Sequence, residues 1–168
     1  MEYTLNRGAA SGVRLGLIVL QTDETLEFEA RQVLAGRDAA LFHARIPNAH
    51  DVTPETLAAM ADEMPKTAAL LPEGLDAVGY GCTSGATVIG SDAVAGLVAR
   101  AHPKAAVTDP IRAVVAALNA LKASKIAMVT PYVPSVTAPM RALLGKSGID
   151  VVSEISFGEG NDWRVARI

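Results

Sequence analysis

Apolar positions along this chain fall into two recurring patterns, short aliphatic runs and longer stripes at helical spacing, and they alternate from one end to the other. The run VRLGLIVL at 13–20 is β-branched and aliphatic, short enough for a strand buried on both faces. Thr22 or Asp23 can cap a helix predicted over 24–34, which Gly36 ends. AALFHARI at 39–46 predicts a second strand, stopped by Pro47. Thr53-Pro54-Glu55 then supplies a capping hydroxyl, a proline at the first helical position and an acid at the positive end of the dipole. Leu57, Met60, Ala61, Met64, Ala68 and Leu71 follow on one helical face, with Pro65 expected to kink it.

Further on, 75–80 predicts a third strand, and Gly81-Cys82-Thr83-Ser84-Gly85 the turn after it. A helix centred on 93–101, a short strand at 105–108 and a helix from Asp109-Pro110 to about 121 come next. KIAMVT at 125–130 is another strand, Pro131-Tyr132 leads into a helix over 135–144, and 149–155 is the last strand predicted. Strands alternating with helices argue for an α/β fold, a parallel sheet covered on both faces. The strands at 75–80 and 125–130 both end in a polar turn that opens a helix. This echo predicts two tandem Rossmann-like lobes, residues 1–110 carrying the Cys82 turn and residues 111–168 forming the first part of a second. That second lobe has two strands against four, and 163–168 reads as the start of another element, so it is expected to be incomplete.

Composition narrows the function. Half of the 168 residues are hydrophobic, enough for a core without disulfides or a structural metal. Net charge is −3, aromatics are scarce, and no basic cluster interleaves with them, so nucleic-acid binding is unsupported. Residues 1–12 are polar and carry Glu2, unlike a secretory signal, and no apolar run nears the roughly 18 residues needed to span a bilayer. With one cysteine no intramolecular disulfide forms, which suits a reducing compartment. The expectation is a cytoplasmic protein without membrane or nucleic-acid partners.

Ligands of open parallel sheets bind outside the carboxyl ends of the strands, where this reading puts Thr22, Asp23, Cys82, Thr83, Ser84 and Tyr132. A thiol at the amino end of a helix is expected to have a lowered pKa. Thr83 and Ser84 add hydroxyl and backbone donors that would cradle a carboxylate. The competing reading of a lone cysteine is a small buried hydrophobe. The polar Gly-Cys-Thr-Ser-Gly setting weighs against that, since core cysteines normally have apolar neighbours.

Other motifs fail on spacing. Cys82 and Ser84 lack the flanking glycines of a nucleophile elbow, and Val88 stands where a cysteine phosphatase would need arginine. Gly79-Tyr80-Gly81 is neither a dinucleotide fingerprint nor a P-loop. His43, His50 and His102 lack metal-ligand spacing, so no metal is expected; His43 reads as structural, and His50 as a weak outsider near the site. Glu24, Glu27 and Glu29 read as a solvated helix face.

YGCTSGATVIG (80–90), VTPYVPSVTAPM (129–140) and GLIVLQTDET (16–25) resemble the Asp/Glu racemase superfamily, in particular its maleate cis–trans isomerase and arylmalonate decarboxylase branch. The resemblance is greatest to the group encoded with ectoine-utilisation genes, which shares the Thr22-Asp23-Glu24 turn and the YGCTSG run. It implies two α/β lobes with the site between them, no cofactor, a small carboxylic acid as substrate, and a homo-oligomer, dimer or higher. It also implies that Cys82 is the catalytic nucleophile or base and that Thr83, Ser84 and Tyr132 hold the substrate carboxylate. Asp23 stands near a substrate-binding asparagine of maleate isomerases; a carboxylate there would suit a substrate bearing a cationic or hydroxyl group. Such isomerases and racemases use a second cysteine from the second lobe, and none occurs in these 168 residues. One-thiol decarboxylation and non-catalytic carboxylate sensing therefore stand as alternatives to the isomerase or racemase expectation.

Overall fold

A computed structural model describes residues 1–4 and 12–168; much of the N-terminal segment read as no secretory signal lies outside the described residues. Six strands and seven helices follow in the order β1 (Val13–Leu20), α1 (Leu26–Val33), β2 (Ala39–Ile46), α2 (Pro54–Ala68), β3 (Ala77–Tyr80), α3 (Thr83–Ile89), α4 (Ser91–Ala99), β4 (Ala106–Thr108), α5 (Pro110–Ala120), β5 (Lys125–Tyr132), α6 (Pro134–Lys146), β6 (Asp150–Glu159) and α7 (Asp162–Val165). A four-stranded sheet has the order β2-β1-β3-β4, and β5 and β6 form a second sheet. Every strand pairing is parallel, as the βαβ alternation predicts.

Parallel strands need helices on their faces, and the buried side chains show how that is met. Ile18 and Val19 of β1, Ile46 of β2 and Val78 of β3 are fully enclosed, together with Met64 of α2 and Val94 and Val98 of α4. Along α2, Leu57, Met60, Met64 and Ala68 are buried as the stripe predicts, as is Leu71 just beyond it, whereas Ala61 is half-buried; the helix continues past Pro65. Thr53 caps α2 by accepting from the Thr56 N–H at 3.2 Å, while the Thr56 hydroxyl accepts from the Thr53 N–H at 3.0 Å. The same hydrophobic cluster extends to Val136, Met140 and Leu144 of α6 and Val151 of β6. Among the described residues no helix is long and apolar enough to cross a membrane.

Two differences from the sequence reading bear on the site. The helix expected around 93–101 is two helices, and the first begins directly after Cys82. Thr, Val, Ile and Gly are weak helix formers, so TSGATVI carries little helical signal by itself; its packing against α2 and α6 overrides that. Gly90, at φ +91°, turns the chain between α3 and α4 in a conformation that other residues rarely adopt. Tyr132 is the last residue of β5, which extends two residues beyond the predicted strand.

Strand order reverses between β1 and β3: the chain moves outward from β1 to β2 on one side and from β3 to β4 on the other. Their carboxyl ends are adjacent, with Ile18 paired to Tyr80 and the Gly81 N–H donating to the Ile18 carbonyl at 2.8 Å. Such a reversal opens a crevice beyond the strand ends, and here the turns carrying Asp23 and Cys82 form its rim.

Candidate active site

Gly81 lets the chain leave β3 tightly. A Cβ there would overlap Leu26 Cδ2 and stand 3.3 Å from the Ile18 carbonyl oxygen. Cys82 follows in extended geometry as the N-cap of α3, its Sγ accepting from the Gly85 N–H at 3.2 Å. The Ser84 hydroxyl lies 3.5 Å from the same sulfur. Ser84 and Tyr132 line the same cavity beside the sulfur, so the ends of β3 and β5 and the start of α3 converge there. Cys82 is 4% exposed and Ser84 1%.

These residues wall a cavity of about 190 Å³, together with Thr83, Asp23, Thr25, and Asp162 of α7. That is below the roughly 300 Å³ at which drug-sized pockets begin, so the space suits a small organic molecule. Among the described residues lining it there is no lysine, arginine or histidine.

The expected lowering of the thiol pKa is overturned. Burial pushes Cys82 up, and the negative charge of Asp162 adds to this; bonds from Ser84, the Gly85 N–H and Tyr80 oppose it without reversing it. A neutral thiol needs no solvation, whereas a buried thiolate without a nearby cation does. Burial likewise pushes Tyr132 up to about 12, with the Cys82 and Asp162 charges contributing, so its hydroxyl is a donor throughout the neutral range. Iodoacetamide is therefore expected to modify Cys82 slowly at pH 7. The rate should climb with pH, with a midpoint above the ordinary cysteine value; fast labelling at neutral pH with a low midpoint would contradict this.

Asp23 lines the cavity, but its Oδ1 accepts from the Thr25 and Leu26 N–H groups, both at 2.8 Å, and so caps the turn into α1. Thr22 departs from expectation. It is not among the lining residues, and its hydroxyl donates to Asp162 Oδ2 and lies 3.3 Å from Asn48 Oδ1. His50 is exposed and outside the cavity wall, though its carbonyl accepts from the Asp162 N–H at 2.8 Å. Nε2 of the buried His102 lies 2.8 Å from the Ala68 carbonyl oxygen, a structural bond. Burial lowers the pKa of His43 within β2. No cluster of His, Cys, Asp or Glu among the described residues could hold a metal ion.

Sequence reasoning missed Asp162, Asn48 and Thr25. Asp162 meets Thr22 across 140 positions of sequence, a separation no local pattern reports. Its place just past the carboxyl end of β6 is the one available signal, since that is where the strand-end rule puts ligand contacts.

The parallel α/β fold thus sets a buried thiol and neighbouring hydroxyls around a small cavity at its switch point. No known family profile matches the chain. It is 28% identical over 165 residues to the maleate isomerase of Nocardia farcinica, covering 92% of this chain and 62% of that protein. It is also 28% identical over 172 residues to the maleate isomerase of Geobacillus stearothermophilus, covering 94% and 68%. A cysteine-to-serine variant of the Nocardia farcinica maleate cis–trans isomerase, solved with a covalently bound succinylcysteine intermediate, superimposes with a TM-score of 0.78 at 26% identity, over 93% of this chain and 68% of that one. A liganded double mutant of arylmalonate decarboxylase shares the fold at 21% identity, with a TM-score of 0.71 over 94% and 67%. The likeness is to maleate isomerases in sequence and fold and to arylmalonate decarboxylase in fold alone, and the chain spans about 62% of the length of the Nocardia farcinica protein.

Proposed function

We propose that Cys82 is the catalytic thiol of a cofactor-independent isomerase or racemase acting on a small carboxylic acid. The observation that carries the reading is the sulfur itself, facing a small cavity with Ser84, Tyr132 and the Gly85 N–H around it. Hydroxyls of Thr83, Ser84 and Tyr132 hold the substrate carboxylate and the enediolate formed from it; donors aimed at developing charge are typically worth a few kcal/mol each.

In cis–trans isomerisation the Cys82 thiolate adds to one alkene carbon and the π electrons move onto the conjugated carboxylate. The carbon–carbon bond, now single, rotates. The electrons then return and expel the sulfur as thiolate, with no net proton or electron consumed. In racemisation the thiolate instead takes the α-proton, and an acid on the opposite face returns one. Because burial disfavours the free thiolate, substrate binding has to supply part of its stabilisation, beside the Gly85 N–H that already donates to the sulfur.

The resemblance of the Thr22-Asp23-Glu24 turn and the YGCTSG run to those of the ectoine-utilisation group supports a related function. A free catalytic thiol suits a cytoplasmic setting. Exposed Val129, Ile155 and Phe157 on the β5–β6 sheet support a homo-oligomer or another cover for that face.

The test is turnover by the wild-type chain in D₂O, followed by NMR on a panel of small unsaturated and α-chiral carboxylic acids. Deuterium appearing at Cα identifies racemisation; geometric conversion without it identifies cis–trans isomerisation. Release of CO₂ would replace the isomerase reading with a decarboxylase. Binding of these acids with no turnover of any of them would leave a carboxylate sensor.

A further inference from the structure

We propose that the groove between α2 and α4 is a contact surface for a second copy of this chain, packed across a two-fold axis. The inference is independent of how the Cys82 cavity is read, and its test leaves that site untouched.

The two helices pack against each other on one side of the β2-β1-β3-β4 sheet. Each returns the chain from the carboxyl end of one parallel strand toward the amino end of the next, so they run side by side in the same direction. Ala58 and Ala61 of α2 and Ala93 and Gly96 of α4 line a groove of about 580 Å³. Val88 and Ile89 at the end of α3 and Leu97 of α4 also line it, half-buried and packed against the core. Large apolar side chains thus stay partly wet in an open channel. Among the described residues Arg100 is the only polar side chain in the lining, so a small ligand would find little to orient it. An opposing helical surface fills such a channel by packing its ridges into the groove.

Gly96 points the same way. Glycine inside a helix is less stable than alanine because it loses more backbone freedom on folding. Nothing within the chain requires it here: a Cβ at 96 would meet no atom within 4 Å, and its φ is not positive. What the missing side chain permits is close approach by another backbone from outside.

Charge decides which body approaches. Glu55, Ala58 and Ala61 recur three apart on α2, and Ala93, Gly96, Leu97 and Arg100 make one stripe on α4. Glu55 lies in the first turn of α2 and Arg100 is the C-cap of α4, so the two stand at opposite ends of the groove. Both are exposed, and neither enters an ion pair among the described residues. A two-fold axis across the middle of the groove sets the helices of the two copies antiparallel. It brings each Arg100 to the Glu55 end of the other copy, so one geometry closes both ion pairs.

Sedimentation velocity over a range of protein concentrations tests this. The wild type should show a dimer whose population rises with concentration. Gly96→Leu places its side chain in open space and so keeps the fold; it should raise the dissociation constant by at least about 100-fold. Arg100→Glu and Glu55→Lys should each raise it by about tenfold or more. An equimolar mixture of those two variants should restore a dimer near wild-type affinity, since the mixed pair holds one native ion pair and one with its charges exchanged. Thermal melting by circular dichroism confirms that each variant is folded. A wild type that stays monomeric would overturn the inference. So would a dimer untouched by Gly96→Leu, which would move the contact to another surface such as the exposed β5–β6 face. A mixture no tighter than either variant alone would overturn the pairing of Arg100 with Glu55 across the axis.

Discussion

Replacing Cys82 with serine is expected to lower turnover by at least about 10³-fold while leaving the protein folded and able to bind its substrate. Serine is close in shape, and its hydroxyl can accept from the Gly85 N–H and meet Ser84, so the α3 cap and the buried bonds persist. Stability should change by no more than about 1 kcal/mol, because each polar group keeps a partner. Chemistry has no such substitute. An alcohol at this buried position is far harder to ionise than a thiol, and adjacent Asp162 penalises negative charge further. The variant should keep its thermal transition and its substrate affinity by calorimetry, and lose both turnover and alkylation. Turnover retained within a few-fold would leave Cys82 as a buried cap residue and move the chemistry elsewhere.

Gly85→Ala should produce the second largest effect, on both stability and rate. A Cβ at this position would overlap the Tyr80 hydroxyl and stand 2.9 Å from Met60 Cε and 3.0 Å from Cys82 Sγ. Met60 can yield, being flexible, but Tyr80 is 1% exposed and its ring is enclosed. Alanine would add about 1 kcal/mol of helix propensity to α3. Overpacking of a filled core typically costs about 1–3 kcal/mol, so the net expectation is destabilisation. The rate should fall more steeply, by roughly 10²-fold, since displacing the sulfur or the Tyr80 hydroxyl by about 1 Å disrupts the reacting geometry. Thermal melting and steady-state kinetics on the same sample check both. A variant at least as stable and as active as wild type would mean that the contact around Cys82 is looser than the structure shows.

The first prediction draws on residues legible in the sequence, the second on a contact that was not. YGCTSG announces a polar turn after a strand, and the strand-end rule by itself places Cys82, Thr83, Ser84, Tyr132 and Asp23 near one another. All five line the same cavity. Thr22 was placed in the right neighbourhood with the wrong partner. Turn position alone does not say whether a hydroxyl points at a ligand or at a side chain arriving from the far end of the chain, as Asp162 does. The thiol's acidity was misjudged for a related reason. Position at a helix start is local and readable, but depth of burial and the absence of a cation in the cavity depend on every element that packs there.

The sequence by itself determined the α/β alternation, the parallel pairing and the carboxyl-end location of the thiol. Hydrophobic period, capping residues and turn glycines are short-range signals, and the handedness of βαβ connections carries them to topology. Only the tertiary structure decided that TSGATVI is helical, that α7 returns across the mouth of the switch point, and that Asp162 enters the site tied to Thr22 and Asn48. Those outcomes rest on contacts between residues far apart in the chain. Burial and electrostatics acting between them outweigh local preferences of a few tenths of a kcal/mol per residue.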